Sequence, residues 1–319
     1  MNIVDALVLK GLKGVGDGSI TKLLELTGNE GIYSLEELAK IGIENLPLRK
    51  VPKILKEFLS LGEFEDERLK TKGELCAWNT QGIKVIYRHS EEYPKQILDL
   101  ENPPPFLFCK GNLSLLKNTR SIAVIGTRNN SPKGALIATK TIEAFHNRKF
   151  IIVSGLALGI DTIAHKAALK FGAPTVAVLV DLSKISPATN KDLAEEILQN
   201  DGLLVAENKP GTPTVAALFA KRDRIQSGLS TAVFAIETSK NGGTMHAVRA
   251  ADKMCRPIFV PDSVAARYKD FSLDVIQGTQ YLLEKGVARS YTSETYESIS
   301  EELDIISRRL NGNYSSELH

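Results

Sequence analysis

The sequence predicts an α/β fold: a doubly wound, mostly parallel sheet with helices on both faces. Three observations lead to this prediction. Short apolar runs recur along the chain, each has the length of a strand, and segments with helical periodicity separate them. Strands that alternate with helices at this spacing are typical of a parallel sheet whose strands are buried on both faces. The six runs, some with the loop residues that follow, cover residues 121–128, 150–155, 175–181, 203–207, 232–237 and 257–261.

The loops that follow the first two runs supply the first candidate site residues. In parallel sheets, ligands bind outside the carboxyl ends of the strands. Gly126, Thr127 and Arg128 follow the first run, and Ser154 and Gly155 follow the second. A glycine allows a sharp turn, amide groups at the next helix start favour a phosphate, and the guanidinium of Arg128 suits a phosphate or a base. The dinucleotide fingerprint GxGxxG is missing from this loop, which argues against NAD or FAD, so we predict no cofactor.

A charged segment further along the chain is the next candidate. Phe219 precedes three cations, Lys221, Arg222 and Arg224, with Asp223 among them. Arginine beside an aromatic residue is the composition with which proteins follow a single-stranded backbone and stack its bases. The same segment also fits a solvated helix face with Phe219 in the core, and the residues alone leave both interpretations open.

Two further patterns carry possible chemistry. Gly242, Gly243 and Thr244 follow a strand and open a helix, so their amide groups are expected at the positive end of that helix. Asp161 and His165 lie four residues apart, on one face of a predicted helix. They fit an acid–base couple, but a structural hydrogen bond that holds the loop is the more common use of such a pair.

Composition narrows the class of protein. The 319 residues are 43% hydrophobic and 24% charged, which are ordinary globular values. The net charge is only +2, so an anionic partner must be met by a local cluster of cations. Three scattered cysteines without a CxxC pair argue against a disulfide framework and structural zinc, and favour the reducing cytoplasm. No apolar run approaches the length of a membrane span, and we predict neither a membrane nor a metal partner.

Three domains are predicted. Residues 1–75 read as a small helical domain, residues 76–290 as the α/β domain, and residues 291–319 as a final helix and tail. Gly14, Val15 and Gly16 separate two helical patterns in the first domain, as in a helix-hairpin-helix or SAM-like unit, where glycines let the backbone approach a DNA phosphate. A tight corner in a helical bundle would give the same pattern.

Five motifs, in this order, resemble the DprA/Smf family of DNA-processing proteins. They are GTR at 126–128, SGLALGIDTIAH at 154–165, PATN at 187–190, KRDRI at 221–225 and NGGTMHA at 241–247. The resemblance extends to EEYPKQILDL at 91–100, PPPFLFCKGN at 103–112 and QGTQYLLEKGVARS at 277–290, so it covers nearly the whole chain.

The resemblance implies an extended Rossmann-like domain that binds and protects single-stranded DNA. It also implies a homodimer that helps to load a RecA-type recombinase, notably in natural transformation, and it implies no catalytic activity. Phe219 would stack on a base or position it, while the glycine-containing loops at 126–128, 154–155 and 242–244 would donate backbone N–H groups. The cations that would contact phosphates are Arg128, Lys221, Arg222 and Arg224.

The sequence departs from the family pattern at four places. The usual triplet RNR is Arg222-Asp223-Arg224 here, and the usual SG(S/T)LxTA is replaced by residues 241–247. Ala188 stands where a lysine or proline is common. The winged-helix tail of many members has no counterpart in this sequence. We therefore expect a divergent, short member of the family.

Two other functions remain open at this point. The fold resembles that of cytokinin-activating phosphoribohydrolases, whose PGGxGTxxE motif is partly echoed at residues 241–247. No glutamate follows Thr244, however, and the next carboxylate is Asp252, whereas hydrolysis needs a carboxylate near the sugar. A nucleotide sensor, possible in phage defence, would use the same pocket for a small ligand.

Overall fold

The computed structural model describes residues 1–29, 31, 33–268 and 273–315. The chain forms two compact units. The first comprises Met1–Tyr93 and Pro104–Phe108, and the second comprises Pro94–Pro103 and the chain from Cys109 onward. The three-domain division at residues 75 and 290 stays a prediction, and residues 316–319 of the predicted tail lie outside the described residues.

The first unit is mainly helical. Its α3 begins with a capping box, in which Ser34 and Glu37 each bond the other's backbone N–H. The predicted glycine-containing corner lies between the first two helices, and Val15 within it is buried. The elements are α1 (Ile3–Gly11), α2 (Asp17–Asn29), α3 (Leu35–Lys40), α4 (Lys53–Leu61), α5 (Glu65–Thr80), β1 (Ile83–Tyr87) and β2 (Phe106–Gly111), which continues past Phe108 into the second unit. The helices α1–α5 of this unit precede its strand β1, as the sequence indicates, while the domain boundary at residue 75 stays a prediction.

The second unit alternates strands and helices, and the prediction of a doubly wound, mostly parallel sheet is confirmed. Each of the six predicted runs forms a strand. The elements are α6 (Ser114–Lys117), β3 (Ser121–Ile125), α7 (Pro132–Asn147), β4 (Ile151–Ser154), α8 (Ile160–Phe171), β5 (Thr175–Leu179), α9 (Lys191–Gln199), β6 (Leu203–Ala206), α10 (Ala216–Gly228), β7 (Ala232–Ala235), α11 (Thr244–Lys253), β8 (Ile258–Pro261), α12 (Gln277–Glu284), β9 (Arg289–Tyr291) and α13 (Tyr296–Ser315).

The order of the strands identifies where a ligand can bind. Within the second unit the order is β6-β5-β4-β3-β7-β8-β9, and all neighbouring pairs are parallel. The chain moves outward from β3 to β6 and then returns to place β7 on the other side of β3. The neighbours β3 and β7 therefore form a topological switch point, and a crevice outside their carboxyl ends is the usual binding place in such sheets.

The core lies on both faces of this sheet because side chains alternate along each strand. On β3, Ile122 and Val124 belong to an apolar cluster with residues of α7, α8 and α13. Ala123 and Ile125 point the other way and pack with residues of α11 and α12. In the described part of the chain, no helix combines the length and the apolar character needed to cross a membrane.

Candidate nucleic-acid interface

A cavity of about 400 Å³ opens at the carboxyl ends of β3 and β7. The loop after β3, the loop after β7, one face of α10 and the start of α11 form its walls. The structure thus brings together eight of the predicted site residues in its lining: Gly126, Thr127, Arg128, Phe219, Arg222, Gly242, Gly243 and Thr244. Asp161 also lines it, whereas Ser154, Gly155, His165, Lys221 and Arg224 lie outside the lining.

The helix α10 divides its polar residues between two faces. Phe219, Arg222, Asp223 and Gln226 follow one another at intervals of three, one and three residues, so they share one face, and all four line the cavity. Lys221 and Arg224 lie on the adjacent face.

Arg222 is the most unusual residue of the cavity. Only 3% of its surface is exposed. Its Nε atom lies 3.4 Å from Oδ1 of Asp223, yet neither Nε nor Nη1 has a hydrogen-bond partner among the described residues. A buried donor without a partner costs about 1–3 kcal/mol, and a charged one costs more. The two unpaired donors are themselves buried, and Nη1 lies against Gly155, so an anionic group in the cavity reaches them only if the side chains around Arg222 shift.

Gly155 makes room for this guanidinium. A methyl group at Gly155 would lie 1.7 Å from Nη1 of Arg222 and 2.6 Å from Oδ2 of Asp161. A glycine is therefore required after β4 because Arg222 and Asp161 occupy the space where its side chain would be. Gly155 thus contributes to the site by leaving room for Arg222 and Asp161. The hydroxyl group of Ser154 donates a hydrogen bond to the carbonyl of Val124, 2.7 Å away.

Two carboxyl groups accompany Arg222 in the cavity. Burial raises the pKa of Asp161 to about 6, although the charge of Arg222 acts in the opposite direction. Burial likewise raises the pKa of Asp223 to about 6, against the charges of Arg222 and Arg128. Near neutral pH both groups retain a large share of their negative charge, and they partly offset the guanidinium.

Arg128 and Phe219 form the more accessible side of the cavity. Arg128 is exposed, and its Cζ atom lies 5.7 Å from the centre of the half-buried ring of Phe219. This distance is typical of a cation–π contact. Arg128 makes no ion pair with any carboxylate of the described residues. Its charge is therefore available to a ligand that also reaches the ring.

Lys221 and Arg224 are held by an internal carboxylate. Glu207, which follows β6 and is buried, accepts a hydrogen bond from Nη2 of Arg224 at 2.5 Å and lies 3.1 Å from Nζ of Lys221. Both cations consequently share one negative charge. Of the four predicted phosphate contacts, only Arg128 and Arg222 line the cavity.

The two helices that start near the cavity, α7 and α11, differ in whether side chains cap their first turns. At α7, Ser131 caps the first turn and donates its backbone N–H to the buried carboxylate of Glu237 at 2.9 Å. The N–H of Thr127 is also used, since it donates to the carbonyl of Glu237 at 2.7 Å. In contrast, α11 begins at Thr244 with no side-chain cap and no acidic residue in its first turn, and its start lines the cavity. The N–H groups of Gly242, Met245 and His246 there already donate to backbone carbonyls.

Asp161 and His165, which the sequence suggested as a pair, each form a hydrogen bond with a different residue. Nδ1 of His165 lies 2.9 Å from the hydroxyl of Thr175, and burial lowers the pKa of this histidine to about 3. Asp161 accepts from the backbone N–H of Ala157 at 3.4 Å. Among the described residues, no cluster of ligands that could hold a metal ion is present.

Sequence reasoning missed several lining residues. Gln226 could have been found from the helical spacing that relates it to Phe219 and Arg222. Thr238 and Ser239 lie in the loop after β7, three and four residues beyond its end, and the rule that ligands bind at strand ends would have indicated them.

Comparison with known proteins decides the family. A family model described as DNA recombination-mediator protein A matches residues 84–304, which is more than half of the chain. This chain belongs to the DNA recombination-mediator protein A family. The DNA processing protein DprA of Bacillus subtilis is 32% identical over 217 residues, which cover 67% of this chain and 73% of that protein. The DprA of Streptococcus pneumoniae is 36% identical over 196 residues, covering 61% and 68%.

Solved DprA structures share the fold. DprA from Streptococcus pneumoniae matches with a TM-score of 0.76 and 28% identity, covering 93% of this chain and 96% of that one. DprA from Helicobacter pylori, whose structure describes a mode of single-stranded DNA binding, matches with a TM-score of 0.60 and 28% identity, covering 69% and 95%. The fold is therefore the extended Rossmann-like fold of DprA proteins.

Proposed function

We propose that this chain binds single-stranded DNA in the cavity at the carboxyl ends of β3 and β7. The observation that carries the proposal is Arg222, a buried guanidinium that lines the cavity with two donors unpaired. A phosphate is the natural complement of such a group, because its oxygens accept several charged hydrogen bonds at once.

The ring beside the cations makes a nucleic acid the best ligand. Phe219 is half-buried and shares the cavity with Arg128 and Arg222. An aromatic ring offers a base a stacking surface, and the neighbouring cations follow its backbone. Bases are accessible for stacking in a single strand, whereas a duplex keeps them paired and stacked inside. The similarity to the Helicobacter pylori DprA, which binds single-stranded DNA, supports this choice.

The finer role follows the family. We propose that the bound strand is protected and handed to a RecA-type recombinase, that the protein acts as a homodimer, and that it performs no catalytic step. The description of the family as recombination mediators supports this role. Lys221 and Arg224 contribute less than Arg128 and Arg222 as long as Glu207 neutralises them.

Arg128→Ala and Phe219→Ala should weaken binding in different ways. Removing one cation that contacts a phosphate should flatten the slope of log affinity against log salt by about 0.7. Removing the ring should leave the slope unchanged and cost about 1–3 kcal/mol, the usual contribution of one stacked base. Titration of a fluorescent oligothymidine at several salt concentrations measures both quantities.

Lys221→Ala is the matched control for this experiment. It removes a cation from α10, but one that lies 3.1 Å from Glu207, so we expect a slope much closer to that of the parent protein. Equal slopes for the parent and Arg128→Ala would contradict the assignment of Arg128 to a phosphate.

A further inference from the structure

A second cavity, of about 390 Å³, lies beside the start of α11. Its floor is formed by buried apolar side chains, Met245 and Val248 of α11 and Leu282 of α12. Its rim is polar and includes Lys240 and Arg249, both exposed. An apolar floor under a cationic rim fits a ligand that is flat and apolar on one side and anionic on the other.

Tyr281 is the aromatic residue of this cavity. It packs against the apolar cluster under α11 and α12, which fixes its ring, and it remains half-buried. Nζ of Lys240 lies 5.5 Å from the centre of the ring and Nζ of Lys285 lies 5.8 Å from it. The ring therefore has cations beside it, as Phe219 has Arg128 beside it in the first cavity.

The local charge is positive. Lys240, Arg249 and Lys285 are exposed, and none of them forms an ion pair with a carboxylate of the described residues. Asp252 is the one carboxylate among the residues that line the cavity. Two cations, Lys240 and Arg249, against one anion in the lining favour an anionic ligand, and Lys285 adds a further positive charge beside the ring of Tyr281.

One turn of the chain separates the two cavities. Gly242 donates its backbone N–H to the carbonyl of Ser239 at 3.1 Å. Ser239 and Gly242, the ends of the turn, line the first cavity, whereas Lys240 and Asn241, its centre, line the second. The ends of such a turn lie within about 7 Å of each other.

We propose that the second cavity is a further subsite for the same DNA strand. Tyr281 stacks on a base, and Lys240, Arg249 and Lys285 contact the phosphates next to it. The strand leaves the first cavity across the turn at residues 239–242 and enters the second. This inference rests on the proposed binding of single-stranded DNA and adds a second stacking position to it.

Oligonucleotides of two lengths test this subsite. An oligothymidine of about three nucleotides fills the first cavity only, and one of about twelve, within the usual range of single-strand sites, reaches both. Tyr281→Ala should weaken binding of the long oligonucleotide about fivefold or more, as expected for one lost base stack, and leave the short one unchanged. Tyr281→Phe keeps the ring and should bind both like the parent. Isothermal titration calorimetry gives each affinity, and a thermal melt confirms that each variant is folded.

The charges of the rim are tested separately. The double variant Lys240→Ala with Lys285→Ala should flatten the salt slope by about 1.4 with the long oligonucleotide and leave it unchanged with the short one. Lys170→Ala is the control, because Nζ of Lys170 lies at a similar distance, 5.3 Å, from the ring of Phe171 near the carboxyl end of α8. It should leave both slopes unchanged.

The outcomes separate this inference from the proposed function. Suppose that the parent binds both oligonucleotides, and that Tyr281→Ala either binds each of them as tightly as the parent does or loses the same affinity for both. The proposal of a second subsite is then wrong, while the proposal of binding in the first cavity stands. If the parent protein binds neither oligonucleotide, the proposed function fails and this inference fails with it.

Discussion

Arg222→Ala should lower the affinity for single-stranded DNA by about 30-fold or more. Arg222 is buried, lines the cavity and has two unpaired donors, so a phosphate that displaces the packing around them forms charged hydrogen bonds away from bulk water. Truncating one partner of such a buried pair costs about 2–5 kcal/mol, and every 1.4 kcal/mol is about tenfold in affinity. Fluorescence anisotropy with a labelled oligothymidine measures the loss.

The free protein should tolerate this change. Arg222 opposes the rise in the pKa of Asp161 and Asp223, so its removal raises both pKa values above about 6 and lets the two carboxyl groups take up protons near neutral pH. Arg222→Lys keeps the charge but loses the planar fork of donors, and should bind with intermediate affinity. A folded Arg222→Ala protein with the affinity of the parent would show that the buried guanidinium serves the fold alone.

Gly159→Ala should destabilise the protein by about 2–4 kcal/mol and abolish most of its binding. Gly159 has a φ of +77° and a ψ of −128°, a region that only glycine adopts readily. A methyl group there would lie 2.3 Å from the carbonyl oxygen of Thr127 and 2.6 Å from that of Arg128. The chain must pay about 1 kcal/mol for the backbone strain and about 1–3 kcal/mol for the overlap. Relief of the overlap displaces the loop that carries Arg128.

Gly172→Ala is the matched control at the other end of α8. Gly172 also has a positive φ, +74°, but a methyl group there would meet no atom within 4 Å. It should cost about 1 kcal/mol and leave DNA binding unchanged. Chemical denaturation gives both free energies of unfolding, and equal values for the two variants would contradict the contact between the loops after β3 and β4.

Much of the fold could be predicted because local patterns determine it. Glycine, proline or acidic residues mark the ends of the apolar runs between residues 121 and 261, and each run forms a parallel strand. The strand β9 could not be predicted from an apolar run, because of its three residues only Tyr291 is buried. It pairs with β8 at the edge of the sheet, and that pairing depends on distant residues.

The sequence indicated the loops that line the cavity but not the environment of its charged residues. The rule that ligands bind at strand ends indicated the loops at 126–128 and 242–244, and both loops line the cavity. It could not indicate that Arg222 is buried against Gly155, or that Glu207 holds Arg224 from 17 residues away. The three cations on α10 look equivalent in the sequence, and only the packing of the helix on the strand ends distinguishes them.

A competition titration tests the central claim most directly. The labelled oligothymidine is displaced from the parent protein by unlabelled single-stranded DNA or by duplex of equal length, at several salt concentrations. Because Phe219 needs an unpaired base, the single strand should compete about fivefold better or more, the equivalent of at least one base stack. Its affinity should fall as salt rises, since phosphates are bound by Arg128 and Arg222. Equal competition by the duplex, or an affinity that does not depend on salt, would contradict the account.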